Sequence, residues 1–127
     1  MIETDEPINI SALDTLKLVL GADFPELLRD FNHHCTNDLI KLEVAIAKMD
    51  RAVIRDVAHS LKGSSLSLHA KPLADYCAVL EAAAVSSSLD DLEQSISQVR
   101  KGVKEVISAL ERWAYQDDHN TLDGLHS

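Results

Sequence analysis

Six histidines and two cysteines are the side chains of this 127-residue chain best suited to covalent or coordination chemistry near neutral pH. Their surroundings separate them quickly. His33-His34-Cys35 has the composition of a metal cluster, yet adjacent helix positions diverge and Cys35 falls on an apolar stripe. Cys35 and Cys77 have neither metal nor redox spacing and read as free buried thiols of a reducing compartment. His69, His119 and His126 have no partner pattern. That leaves His59.

On a wheel of 100° per residue, Val53, Ile54, Val57, Leu61, Ser64 and Leu68 form one stripe, and His59 lies about 200° from its centre. The imidazole therefore points away from the core. Lys62 follows one turn later, and the small residues Ala52 and Gly63 leave the ring unshielded. A glycine inside a helix costs up to about 1 kcal/mol relative to alanine, so its presence with no turn to make suggests close approach by another molecule. Lys48, Arg51, Arg55, Lys62 and Lys71 against Asp50 and Asp56 make residues 48–71 a +3 island in a chain of net charge −9. An exposed, mostly neutral imidazole among cations suits a nucleophile that takes up a phosphoryl group, with Lys62 as a flexible point charge for it. A lone surface histidine is ordinarily just surface, so the lysine, the glycine and the island carry the argument. Asp30-x-x-His33 and Asp56-x-x-His59 offer a rival, since di-metal bundles use carboxylate-x-x-His pairs; those ligands face inward, whereas both histidines here face out.

The elements that must position His59 are all helical. Four Gly and three Pro are too few for a loop-rich or all-β chain. Residues 1–8 read as a flexible lead-in. Ser11 with Asp14 resembles a capping box for a short helix carrying Leu13, Leu16 and Leu20, stopped by Gly21. Asp23 and Pro25 open a long second helix with the stripe Phe24, Leu27, Phe31, Cys35, Leu39, Leu42, Ile46 and Met49, broken at Asp50. The third helix spans 51–70, the fourth starts at Pro72 with Leu73, Cys77, Leu80 and Ala84 on one face, and Ser86-Ser87-Ser88 links to a fifth. Leu89, Leu92, Ile96, Val99, Val103, Val106, Leu110 and Trp113 give that last helix a heptad seam. Residues 116–127 carry no apolar stripe and read as a disordered acidic tail. The expected architecture is all-α: an antiparallel four-helix bundle over 9–115, with the first short helix as a lid.

Charge narrows the function. Twenty-one acidic residues against 12 basic ones disfavour nucleic acid and anionic membrane surfaces as partners. No apolar run reaches the length of a membrane span, and the acidic start lacks a signal peptide's basic region, so a cytoplasmic protein is expected.

The run Ala58-His59-Ser60-Leu61-Lys62-Gly63-Ser64-Ser65 followed by Leu68-x-Ala70 resembles the signature of histidine-containing phosphotransfer (HPt) domains. Leu73-x3-Cys77-x2-Leu80-Glu81 is similar to that family too, and the likeness spans about residues 10–114. It implies a four-helix bundle whose exposed histidine takes a phosphoryl group on Nε2 from a receiver-domain aspartate and passes it to another receiver. Carried over, His59 is the phosphorylation site, Lys62 the phosphate partner and Gly63 the space-maker. Ala52, Arg55, Asp56 and Leu66, which ring His59 on the wheel, become the docking surface, with Leu66 as its apolar centre. The implied partners are receiver domains of hybrid sensor histidine kinases and response regulators, met by a monomer. No cofactor is expected on this chain, the Mg²⁺ of the transfer being held by the receiver. With no Gly-rich phosphate loop the chain is expected to be a carrier without kinase activity. Its Met start and complete bundle read as a stand-alone bacterial relay module. The competing reading is a non-catalytic helical adaptor, or a dimer zipped through the 89–113 seam. One departure stands out: the family commonly has a small residue, often Gly, where this chain has His69, about 15 Å along the helix from His59.

Overall fold

The computed structural model describes the backbone of residues 6–126 and the side chains of residues 6–114. Five α-helices follow one another: α1 (Ile10–Leu20), α2 (Phe24–Ala47), α3 (Arg51–Ser67), α4 (Lys71–Ala83) and α5 (Leu89–His126), with a 3₁₀ turn at Gly21–Asp23. Helices α2 to α5 pack as an antiparallel bundle, α3 between α2 and α4, and α5 closing the ring against α2 and α4.

The caps explain where the helices begin. Asn9, not the Ser11–Asp14 pair, caps α1 by accepting the Ala12 N–H at 3.0 Å. Asp14 serves elsewhere: its Oδ1 accepts the Trp113 indole N–H at 2.8 Å and ties α1 to α5. Phe24 meets the same indole edge-on, 5.4 Å between ring centres, and Lys17 lies over it. Asp50 accepts from Val53 N at the start of α3, and Ser88 from Asp91 N at the start of α5. Asp23 stands at the N-cap of α2 without a side-chain bond.

Helices α2 and α3 end alike. Met49 and His69 occupy the left-handed region (φ 51° and 59°). In each case the next amide reaches back five residues, Asp50 N to Ala45 O and Ala70 N to Ser65 O, forming Schellman motifs. This corrects the expected span of 51–70 to Arg51–Ser67, because a left-handed residue cannot continue an α-helix. It also accounts for His69: the position calls for a small residue because of its backbone.

Two terminal expectations change. Ile8, assigned to the lead-in, is buried in the core, and Asn9 N donates to His69 O; residues 1–5 lie outside those described. The tail expected to be disordered from 116 is helical to His126, since extending a helix needs only one new hydrogen bond per residue, not an apolar stripe. Residue 127 and the side chains beyond Ala114, His119 and His126 included, lie outside the described set. Apart from Leu89, the seam of α5 is buried inside the bundle, leaving no open zipper. No helix among the described residues is long and apolar enough to cross a membrane.

Candidate functional site

The core face of α3 is Ile54, Val57, Ala58, Leu61, Ser65 and Leu68. Val53 is exposed and Ser64 half-buried, so the buried face is shifted roughly 40° from the expected stripe, toward Ala58 and Ser65. The small residues Ala58 and Ser65 are buried on α3, as Ala74 and Cys77 are on α4, the helix packed beside it. Bulk-weighted stripes overlook such contacts. The Ser65 hydroxyl is satisfied by the Leu61 carbonyl at 2.7 Å.

The rotation leaves His59 outward, its side chain 69% exposed in the middle of a 17-residue helix. Ala52, Arg55, Asp56, Gly63 and Leu66 are exposed on the same side of the helix, Leu66 to 54%. Arg55 and Asp56 pair with each other at 3.6 Å. A Cβ built on Gly63 would meet nothing within 4 Å, so no packing inside the chain requires glycine there.

The residue missed from the sequence as a site member is Glu81, on α4. One carboxylate oxygen accepts from His59 Nδ1 at 2.9 Å, and the other from Lys62 Nζ at 2.7 Å. Lys62 thus rests on Glu81, and the +3 island counted along the chain is partly neutralised in space. Arg51 fixes the register by donating to Ser87 O at 2.7 Å and Ala84 O at 3.4 Å, where α4 ends. The hydrogen bond from Lys62, with one from His59, holds the Glu81 carboxyl below the usual carboxylate range. An ionised carboxylate only accepts, so Nδ1 carries a hydrogen, and in the neutral form of the ring the lone pair lies on Nε2. No other described residue bonds that nitrogen. The arrangement is an outward-facing imidazole held at Nδ1, with a cation alongside and open space next to it, a geometry suited to a nucleophile.

On the α2 side, His34 Nε2 lies 3.2 Å from the Ser60 hydroxyl and 3.0 Å from Oδ2 of Asp38, a carboxylate only 2% exposed. Burial raises the Asp38 pKa; His34 and Lys41 pull it back. Desolvation pushes the Cys35 and Cys77 thiols up to about 12, which keeps them protonated and inert. His33 turns to Asn37 at 3.1 Å and His34 to Ser60 and Asp38, while Cys35 is a free thiol buried in the core, so the three side chains do not converge. Among the described residues no three His, Cys, Asp or Glu side chains converge as a metal group.

With this geometry in hand, the comparisons with known proteins are specific. Histidine-containing phosphotransfer protein B (HptB) of Pseudomonas aeruginosa PAO1 superposes with a TM-score of 0.79 at 26% identity, over 88% of this chain and 98% of that one. The sensor protein TorS of Escherichia coli K12 is 28% identical over 122 residues, 95% of this chain but only 12% of TorS. The family model of the Hpt domain matches residues 26–123, so the chain belongs to the Hpt domain family.

Proposed function

We propose that this chain is a phosphoryl carrier in a multistep two-component relay, with His59 as the residue that carries the group. The observation that bears most weight is the exposed ring whose Nδ1–H is committed to Glu81, leaving Nε2 as the nucleophile. Nε2 attacks the phosphorus of a receiver's acyl phosphate in line; the P–O bond breaks and its electron pair returns to the aspartate. The transition state is loose, with charge spread over the equatorial oxygens, so catalysis is largely positioning and charge neutralisation. Lys62, while still held by Glu81, supplies one cation beside the ring; a Mg²⁺ held by the receiver would supply further positive charge. Gly63 leaves room for the receiver, and Ala52, Arg55, Asp56 and Leu66 form the contact around it. The chain acts as a cytoplasmic monomer: its α5 seam is already used internally. Its sequence has no Gly-rich phosphate loop, so in this reading phosphate arrives from a hybrid kinase's receiver and leaves to a response regulator's.

The test is transfer itself. Mixed with an isolated, radiolabelled phospho-receiver, the chain should become labelled and should pass the label to a second receiver. Labelling by ATP alone would contradict the carrier reading. Receiver binding without label transfer, unchanged in His59→Ala, would reduce the chain to an adaptor.

A further inference from the structure

Glu81, bonded to Nδ1, bears on the proton balance of the transfer. The form of the ring that attacks is the neutral one, with hydrogen on Nδ1 and a lone pair on Nε2. After Nε2 bonds phosphorus, the ring either keeps the Nδ1 hydrogen and becomes a cation, or loses it to solvent and becomes neutral. The two forms differ in reactivity. From the cation, P–N cleavage returns the electron pair to Nε2 and releases neutral imidazole; from the neutral form it must release an imidazolide anion, a far poorer leaving group.

We propose that Glu81 is a positioning residue that keeps the Nδ1 proton on His59 after phosphorylation, so that the group is carried on an imidazolium and can leave without any proton transfer. The inference rests on the carrier reading above. Its geometric basis is the 2.9 Å contact from Nδ1 to Oε2 and the 2.7 Å anchor of Oε1 on Lys62. That anchor keeps the carboxylate ionised and aimed. Uptake then balances as neutral imidazole plus acyl phosphate giving phosphoimidazolium plus free carboxylate, and delivery is the reverse. Among the charged groups around the ring, α4 contributes Glu81. Helix α3 contributes Lys62, Arg55 and Asp56. Helix α2 contributes His34, bound to Ser60 beside His59, with Asp38 and Lys41 behind it. Of these, Glu81 alone contacts Nδ1.

The experiment uses the full chain, ¹⁵N-labelled at histidine and phosphorylated with phosphoramidate, a small donor that needs no docking. The ¹⁵N shift of Nδ1 in the phosphorylated ring reports its proton as pH is raised. Glu81→Gln retains a hydrogen-bonding oxygen while removing the charge. Its phosphorylated ring should lose the Nδ1 proton about one pH unit or more below the wild-type ring, as for an opposite charge within contact distance. Transfer to a receiver should be equally fast in both at low pH and slower in the variant, by roughly tenfold, between the two midpoints. Coincident midpoints, or a slowing uniform across pH, would overturn the proposal and leave Glu81 a simple ring holder. Should Glu81→Gln lose helical circular dichroism, free phosphohistidine replaces it as reference: a wild-type midpoint no higher than the free compound's also overturns the proposal. A wild-type chain with no phosphoryl uptake at His59 would instead defeat the carrier reading itself.

Discussion

At the scale of residues, Gly63 separates two explanations for a helix-interior glycine. Space around its absent Cβ is open, so Gly63→Ala should leave stability unchanged or raise it by up to about 1 kcal/mol, while transfer from a receiver falls. A variant that melts lower yet transfers normally would show that the glycine serves packing. Gly102 is the contrast: a Cβ there would lie 3.0 Å from Leu73 Cδ1 and Tyr76 Cδ2. Asp38 gives a pH signature. Burial raises its folded-state pKa, so the native chain binds this proton more tightly than the unfolded chain and loses stability as pH rises above the ordinary value of 3.8. Asp38→Asn should therefore melt above the wild type at pH 7, with the advantage vanishing near pH 4 in a melting series. An advantage independent of pH would mean that the charge is not its source. Neither Asp38 nor Glu81 was legible as a functional neighbour. His59, Lys62 and Gly63 lie within one turn or so of one another, whereas the Glu81 contacts join residues 19 and 22 positions away. Only the register of α4 against α3 brings them together.

At the scale of elements, the five helices, their order and the outward face of α3 follow from apolar spacing and caps, because a stripe of large residues reports the buried side directly. Helix ends and exact rotation were less legible. Met49 and His69 take the conformation that glycine usually marks at a helix end, so nothing in the residue types announced either Schellman turn. Ala58 and Ser65 lie on the buried face of α3 although they are small, a signal that bulk-weighted patterns miss. The strain at His69 is measurable. His69→Gly should raise stability by about 1 kcal/mol, since a left-handed non-glycine residue costs roughly 1–2 kcal/mol and glycine returns part of that as chain entropy. Chemical denaturation checks it, and a loss of stability would show that the imidazole makes contacts outweighing its backbone cost. Phosphoramidate uptake should not change, given the distance along the helix.

At the scale of the whole molecule, the bundle buries its apolar stripes internally, while the His59 side of α3 stays exposed. Leu66, 54% exposed on that side, is the large apolar side chain that the proposed docking would use. A transient relay contact is expected to be small, below about 1,200 Å². Leu66→Asp should weaken receiver binding and slow transfer from a phospho-receiver, yet leave uptake from phosphoramidate intact. Equal losses in both reactions would assign Leu66 to the support of α3, with the interface elsewhere.

The central claim, that His59 carries the phosphoryl group, is tested most directly by locating the phosphate. The chain should be phosphorylated by a phospho-receiver, digested under alkaline conditions and mapped by mass spectrometry, beside His59→Gln. One acid-labile phosphate is expected on His59 of the native chain and none on the variant, whose circular dichroism and melting temperature stay close to native because the ring faces solvent. Phosphate on another histidine, or its persistence in His59→Gln, would contradict the account.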